Sequence, residues 1–136
     1  MKATDLMIGD WVKIKGHLDY DKVQEISRDE NMQWYISFAC SAVLFRAYEF
    51  EPIPLTPEIL EKNGFGFVKS SDRDSVWNGW WINRGLELAT ACLDKEGNWP
   101  CYINIYDSNI KCEYVHQLQH ALRLCGLDEL ADNFKV

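Results

Sequence analysis

Met32-Gln33-Trp34-Tyr35-Ile36-Ser37-Phe38-Ala39-Cys40 decides the fold. Met32, Trp34, Ile36, Phe38 and Cys40 share one face, and Gln33, Tyr35, Ser37 and Ala39 share the other. Successive side chains of a strand point to opposite faces, so this alternation with one wholly apolar face reads as β. Asp29-Glu30-Asn31 ahead of it supplies turn chemistry, and Lys22–Arg28 before the turn reads as another short strand. Trp11–Lys15 alternates too, with Val12 and Ile14 opposite Lys13 and Lys15, and Gly9-Asp10 marks a turn before it. On the other side, a further strand runs from Leu44 to Phe50. The first fifty residues therefore have the length and strand spacing of a small SH3-like β-barrel.

Pro52 and Pro54 end this run, because proline has no N–H to give a ladder. Thr56-Pro57-Glu58 then opens a helix, with Thr as N-cap, Pro at the first helical position and Glu near the positive end of the dipole. Asn63-Gly64 closes it after about two turns. Four strand candidates follow, Phe65–Lys69, Val76–Asn83, Leu86–Leu93 and Trp99–Tyr106. A helix is expected over Lys111–Cys125 with Gly126 just past its end, and a last short one over Leu127–Phe134. Strands in runs, not alternating with helices, argue for an α+β fold with antiparallel sheet. The expected organisation is an SH3-like module over residues 1–52, then an antiparallel sheet packed with a C-terminal helix over residues 53–136.

Hydrophobic residues make up 47% of the 136, enough for a real core, and the 13% aromatic content argues against a disordered chain. The formal net charge is −7. Residues 1–55 hold 6 Lys/Arg against 9 Asp/Glu, and residues 56–136 hold 8 against 12, so neither half is a hidden basic module. Without a basic run, binding to duplex nucleic acid or to an anionic membrane surface is not expected. The five cysteines are odd in number and show no C-x-x-C spacing. With no apolar leader or membrane-length stretch, they read as reduced thiols in a cytoplasmic setting.

Two stretches are distinctive: Glu51-Pro52-Ile53-Pro54-Leu55-Thr56-Pro57-Glu58-Ile59-Leu60, and Tyr114-Val115-His116-Gln117-Leu118-Gln119. With the opening Ile8-Gly9-Asp10-Trp11-Val12, the chain resembles a group of small proteins from gut Bacteroidales genomes and their phages and mobile elements. The resemblance implies a bacterial or phage cytosolic setting and carries no catalytic residue over.

Four constellations bear on chemistry. His116 and His120 lie four apart on an expected helix, as two metal ligands would, but Gln117 stands where a zinc-protease helix has Glu. On a helical wheel both lie opposite the apolar arc of Tyr114, Val115, Leu118, Ala121, Leu122 and Cys125, so they face solvent or a second surface, and the plain reading is two surface histidines. Trp77, Trp80, Trp81 and Trp99 cluster within 23 residues. Either both faces of that sheet are covered, or one is an aromatic platform, with Trp80, Tyr102 and Tyr106 its best candidates beside Trp77 and Trp81. Asp72, Asp74, Glu87, Asp94 and Glu96 read as solvated loop acids unless the fold converges them into a pair. Cys112, at the start of the expected helix, is the one cysteine whose pKa a helix dipole would lower. No phosphate-binding loop, nucleophile elbow or dinucleotide fingerprint is present, so no cofactor is expected.

These features leave three functions open. The first is a phage- or mobile-element-type accessory module that binds a protein partner with a basic surface, and it is the reading the sequence favours. The others are a small carboxylate- or metal-dependent hydrolase and a single-stranded nucleic-acid binder, the last opposed by the charge.

Overall fold

A computed structural model describes residues 2–38, 41–46, 49–69, 78–84, 87–92, 101–105 and 108–136. The chain is α+β and divides into two compact units at Ile53/Pro54.

The first unit opens with a 3-10 turn over Ala3–Asp5. The strands β1 (Trp11–Ile14), β2 (Tyr20–Arg28), β3 (Trp34–Phe38) and β4 (Ser41–Arg46) then form an antiparallel meander. Strand β5 (Phe50–Glu51) returns beside β1, giving the order β4-β3-β2-β1-β5. The sheet is not closed: among the described residues β4 and β5 do not pair. Instead their side chains meet. Phe45 of β4 and Phe50 of β5 lie 6.0 Å apart between ring centroids, and each packs on Phe38 of β3. Val12, Val23 and Ile36 complete the buried face. An irregularity between Val23 and Glu25 lets both Val23 and Ile26 reach this core, which strict alternation would forbid.

The Ile8-Gly9-Asp10 turn is tied at both ends. Buried Asp10 accepts from Met7 N at 2.8 Å, and Gly9 N and Asp10 O both bond Val23 of β2. Met32, expected on the inner face of β3, is instead in the turn before it. Its φ is 61° and its side chain is exposed. Asp29 explains this, since its Oδ1 accepts from Asn31 N and Gln33 N and winds the connection tightly. A left-handed conformation costs an L-residue about 1–2 kcal/mol. Met32→Gly should therefore stabilise the unit by about 0.5–1 kcal/mol in urea unfolding.

The second unit begins with α1 (Pro57–Lys62), where Thr56 Oγ1 accepts from Ile59 N. Five strands follow as a plain meander in the order β10-β9-β8-β7-β6: β6 (Gly66–Lys69), β7 (Asn78–Arg84), β8 (Glu87–Cys92), β9 (Cys101–Ile105) and β10 (Ser108–Cys112). The last strand corrects the sequence expectation of a helix from Lys111. Residues 108–112 pair with β9 across a two-residue connection, and α2 starts only at Val115.

Helices α2 (Val115–Leu124) and α3 (Asp128–Asp132) pack on each other, and α2 also contacts β10. Both longer turns out of helix use glycine in the left-handed region, Gly64 after α1 and Gly126 after α2. At each, the glycine N–H and the next residue's N–H bond back to the last turn, as in Phe65 N to Leu60 O at 3.1 Å and Leu127 N to Leu122 O at 2.9 Å. A β-carbon there would oppose the conformation that makes these bonds.

Candidate binding surfaces

The tryptophan cluster is not assembled as an open platform at Trp80. Trp80 and Ile82 on β7 are buried, with Trp80 only 7% exposed. Phe67 stands opposite Trp80 in the β6–β7 register, and their ring centroids are 5.3 Å apart. The alternation that separated Trp80 from Trp81 was readable in the sequence, but that the Trp80 face is covered depends on packing. Trp80 Nε1 is buried with no hydrogen-bond partner among the described residues. Trp81 lies on β7 and Tyr102 on β9 by backbone; Trp77 and Tyr106 lie outside the described residues. In the first unit, Lys22 Nζ sits 5.2 Å from the Trp11 ring and Arg28 Cζ 3.8 Å from the Trp34 ring. Those aromatic faces are already stacked by cations from the neighbouring strand.

The two histidines do share a helical turn, and their rings meet edge to face at 5.9 Å. His116, however, is buried, which corrects the surface-histidine reading and leaves the second surface as the one it faces. The buried arc of α2 is wider than its apolar arc. Gln119 is fully buried and donates to Ala131 O of α3 at 2.9 Å, and the Tyr114 ring stacks on His116 at 5.9 Å with an interplanar angle of 11°. Among the described residues no group of three or more His, Cys, Asp or Glu converges as metal ligands would. Asp72, Asp74, Asp94 and Glu96 lie outside those residues.

Cys112 is also corrected. It ends strand β10 instead of beginning a helix, and it is fully buried. Burial pushes its thiol up to about 12 from an ordinary 9.0, the reverse of an activated nucleophile. A protonated thiol favoured by the fold makes stability fall as pH rises between those values, by up to about 1.4 kcal/mol per unit. At pH 8, a thiol-disulfide reagent should label the half-buried Cys125 in the native protein and reach Cys112 only on unfolding. Fast native labelling of Cys112 would contradict this.

Two other features stand out. Among the described residues, three of the four edge strands carry an exposed large apolar side chain: Leu44 on β4, Phe67 on β6 and Ile110 on β10. The second is a groove of about 470 Å³ in the second unit, lined by Pro54, Leu55, Thr56, Pro57, Glu58, Glu113 and Tyr114. It brings together the two stretches that are distinctive in the sequence. Pro54 and Tyr114 form an isolated antiparallel bridge, and Leu55 N donates to Glu113 O at 3.0 Å. Gln117 Oε1 accepts from Glu113 N and Tyr114 N and so fixes the entry into α2. Sequence reading found both stretches but not their meeting, which joins residues some sixty apart.

No protein-family model, no curated protein and no solved structure matches this chain. No helix of the described residues is long and apolar enough to cross a membrane.

Proposed function

We propose that this chain is a protein-binding accessory module of the phage or mobile-element type, with a partner that presents a basic surface. The observation that carries the reading is the set of edge strands bearing Leu44, Phe67 and Ile110 in solvent. An edge strand offers unpaired backbone N–H and C=O groups, and an added strand gains ladder bonds from them while neighbouring pockets take alternate side chains. Natural sheets usually blunt such edges with charge, and here Arg46 ends β4 while Lys111 stands beside Ile110 on β10. A net charge of −7 opposes pairing between copies and favours a basic partner.

In the first unit the finer reading is an SH3-like arrangement. It is supported by the β4-β3-β2-β1-β5 order and by the Phe38, Phe45 and Phe50 rings that link the two edges. The test is affinity capture by tagged full-length protein from the lysate of its native host, with and without nuclease, read by mass spectrometry. The reading expects a stoichiometric protein that survives nuclease. Capture that vanishes with nuclease, or none at all, would overturn it.

A further inference from the structure

We propose that the groove between residues 54–58 and 113–114 is a recognition site for an arginine-bearing extended peptide segment, an inference that rests on the protein-binding reading above. The walls of the groove are apolar and aromatic: Pro54, Leu55, Pro57 and the ring of Tyr114. Its polar groups are almost all acceptors. Pro54 and Pro57 have no N–H. The N–H groups of Leu55, Glu113 and Tyr114 are already donated, to Glu113 O, Gln117 Oε1 and Gln117 Oε1. Thr56 caps α1. Of the side-chain groups, the Tyr114 hydroxyl and the carboxylates of Glu58 and Glu113 remain, the last paired with Lys111.

A surface rich in acceptors and poor in donors selects a ligand that donates, and two carboxylates select a cation. The charge is dependable at neutral pH. Glu58 is held below the usual carboxylate range by its own backbone N–H and by the Thr56 hydroxyl.

The site already accepts a cation. Lys111 Nζ lies 2.7 Å from Glu113 Oε1, with both side chains about half exposed, 50% and 41%. Such an exposed pair contributes little to stability, so it yields readily to a better-matched guanidinium. Arginine suits the groove more than lysine. Its planar fork bridges carboxylates, and its face stacks on an aromatic ring such as Tyr114. Proline walls favour an extended or polyproline-like backbone on the ligand, which loses little entropy on binding. Phosphates and other anions are repelled by the same two acids.

The experiment is an amide NMR titration of the 15N-labelled full chain with an acetylated, amidated Pro-Arg-Pro tripeptide. The control replaces arginine by citrulline, which keeps the shape and loses the charge. The expected result is saturable shifts at Leu55, Glu58, Glu113 and Tyr114, weaker by about 10-fold for the citrulline peptide and in the Glu58→Gln/Glu113→Gln double variant. Both substitutions keep side-chain size and leave the backbone bonds of the groove in place, so the variant should fold. Equal binding of the two peptides, or no shift in the groove, would overturn the site. If the lysate partner is still captured and the double variant captures it equally, the groove fails and the binding-module reading stands. If no partner is captured at all, that reading fails independently of the titration.

Discussion

Phe38→Ala should lower the stability of the first unit by about 3–5 kcal/mol, the range for truncating a fully enclosed phenylalanine. Phe38 is 2% exposed and packs against two rings, Phe45 at 5.5 Å and Phe50 at 5.3 Å. Those rings come from β4 and β5, the two edges of an open sheet. No strand ladder joins these edges among the described residues, and the packing of these rings links them. Removing the central ring therefore opens a cavity and also loosens the link between the edges. The whole stability of a small domain is only about 5–15 kcal/mol, so the variant should sit near its unfolding midpoint in mild denaturant. Phe38→Leu, which keeps most of the volume, should recover at least half of the loss. Denaturant unfolding followed by fluorescence and amide exchange checks both. A loss below about 1 kcal/mol for the alanine variant would mean the three rings do not form the centre of this core.

Asn63→Ala should destabilise the second unit by about 2–4 kcal/mol, although alanine is the better helix former. The Asn63 side chain is buried and makes three hydrogen bonds. Its Nδ2 donates to Ile59 O and to Lys135 O, each at 2.7 Å, and its Oδ1 accepts from Lys135 N at 2.8 Å. One amide therefore caps α1 and clamps the chain 72 residues later. The substitution leaves three part-buried backbone groups, Ile59 O, Lys135 O and Lys135 N, without the Asn63 amide, and their desolvation adds to the loss of the bonds themselves. Asn63→Asp separates the donor from the acceptor. It keeps the bond from Lys135 N but sets a carboxylate against two carbonyl oxygens, so it should be worse than alanine at pH 7 and recover in part when protonated. Chemical unfolding at pH 7 and pH 4.5 distinguishes the two. Equal stability of Asn63→Ala and the parent would remove the clamp.

Much of the fold could be read because its determinants are local. Alternation at Trp11–Ile14 and Trp34–Phe38 gives strands, and Thr56-Pro57 with Asn63-Gly64 brackets α1 at its observed ends. Strand β10 was not legible, because Ile110 is its sole aliphatic residue and a polar pentapeptide beside a helix pattern reads as more helix. Met32 fits the alternation but obeys Asp29, whose side chain bonds two of the next backbone N–H groups. Cys112 was read as lying at a helix start and His116 as facing solvent or a second surface, both from their position in a single helix. Their burial comes from neighbours that a helical wheel does not contain. Asn63 was legible as a stop signal but not as a clamp, since nothing local to it points to Lys135. The groove has the same character: each wall is visible as a motif, and only the Pro54–Tyr114 bridge makes it a site.

The central proposal is that exposed edge strands carry partner binding. The most direct measurement compares quantitative capture from native lysate by the parent chain, Leu44→Lys and Phe67→Lys. A lysine on an edge opposes an added strand and a basic partner; Leu44 is 55% exposed and Phe67 48%, and the Phe67 ring also packs on buried Trp80, so its variant is read only at matched stability. With unfolding midpoints matched to the parent, the account predicts that at least one variant loses captured partner by about 10-fold or more. Unchanged capture by both folded variants would contradict it.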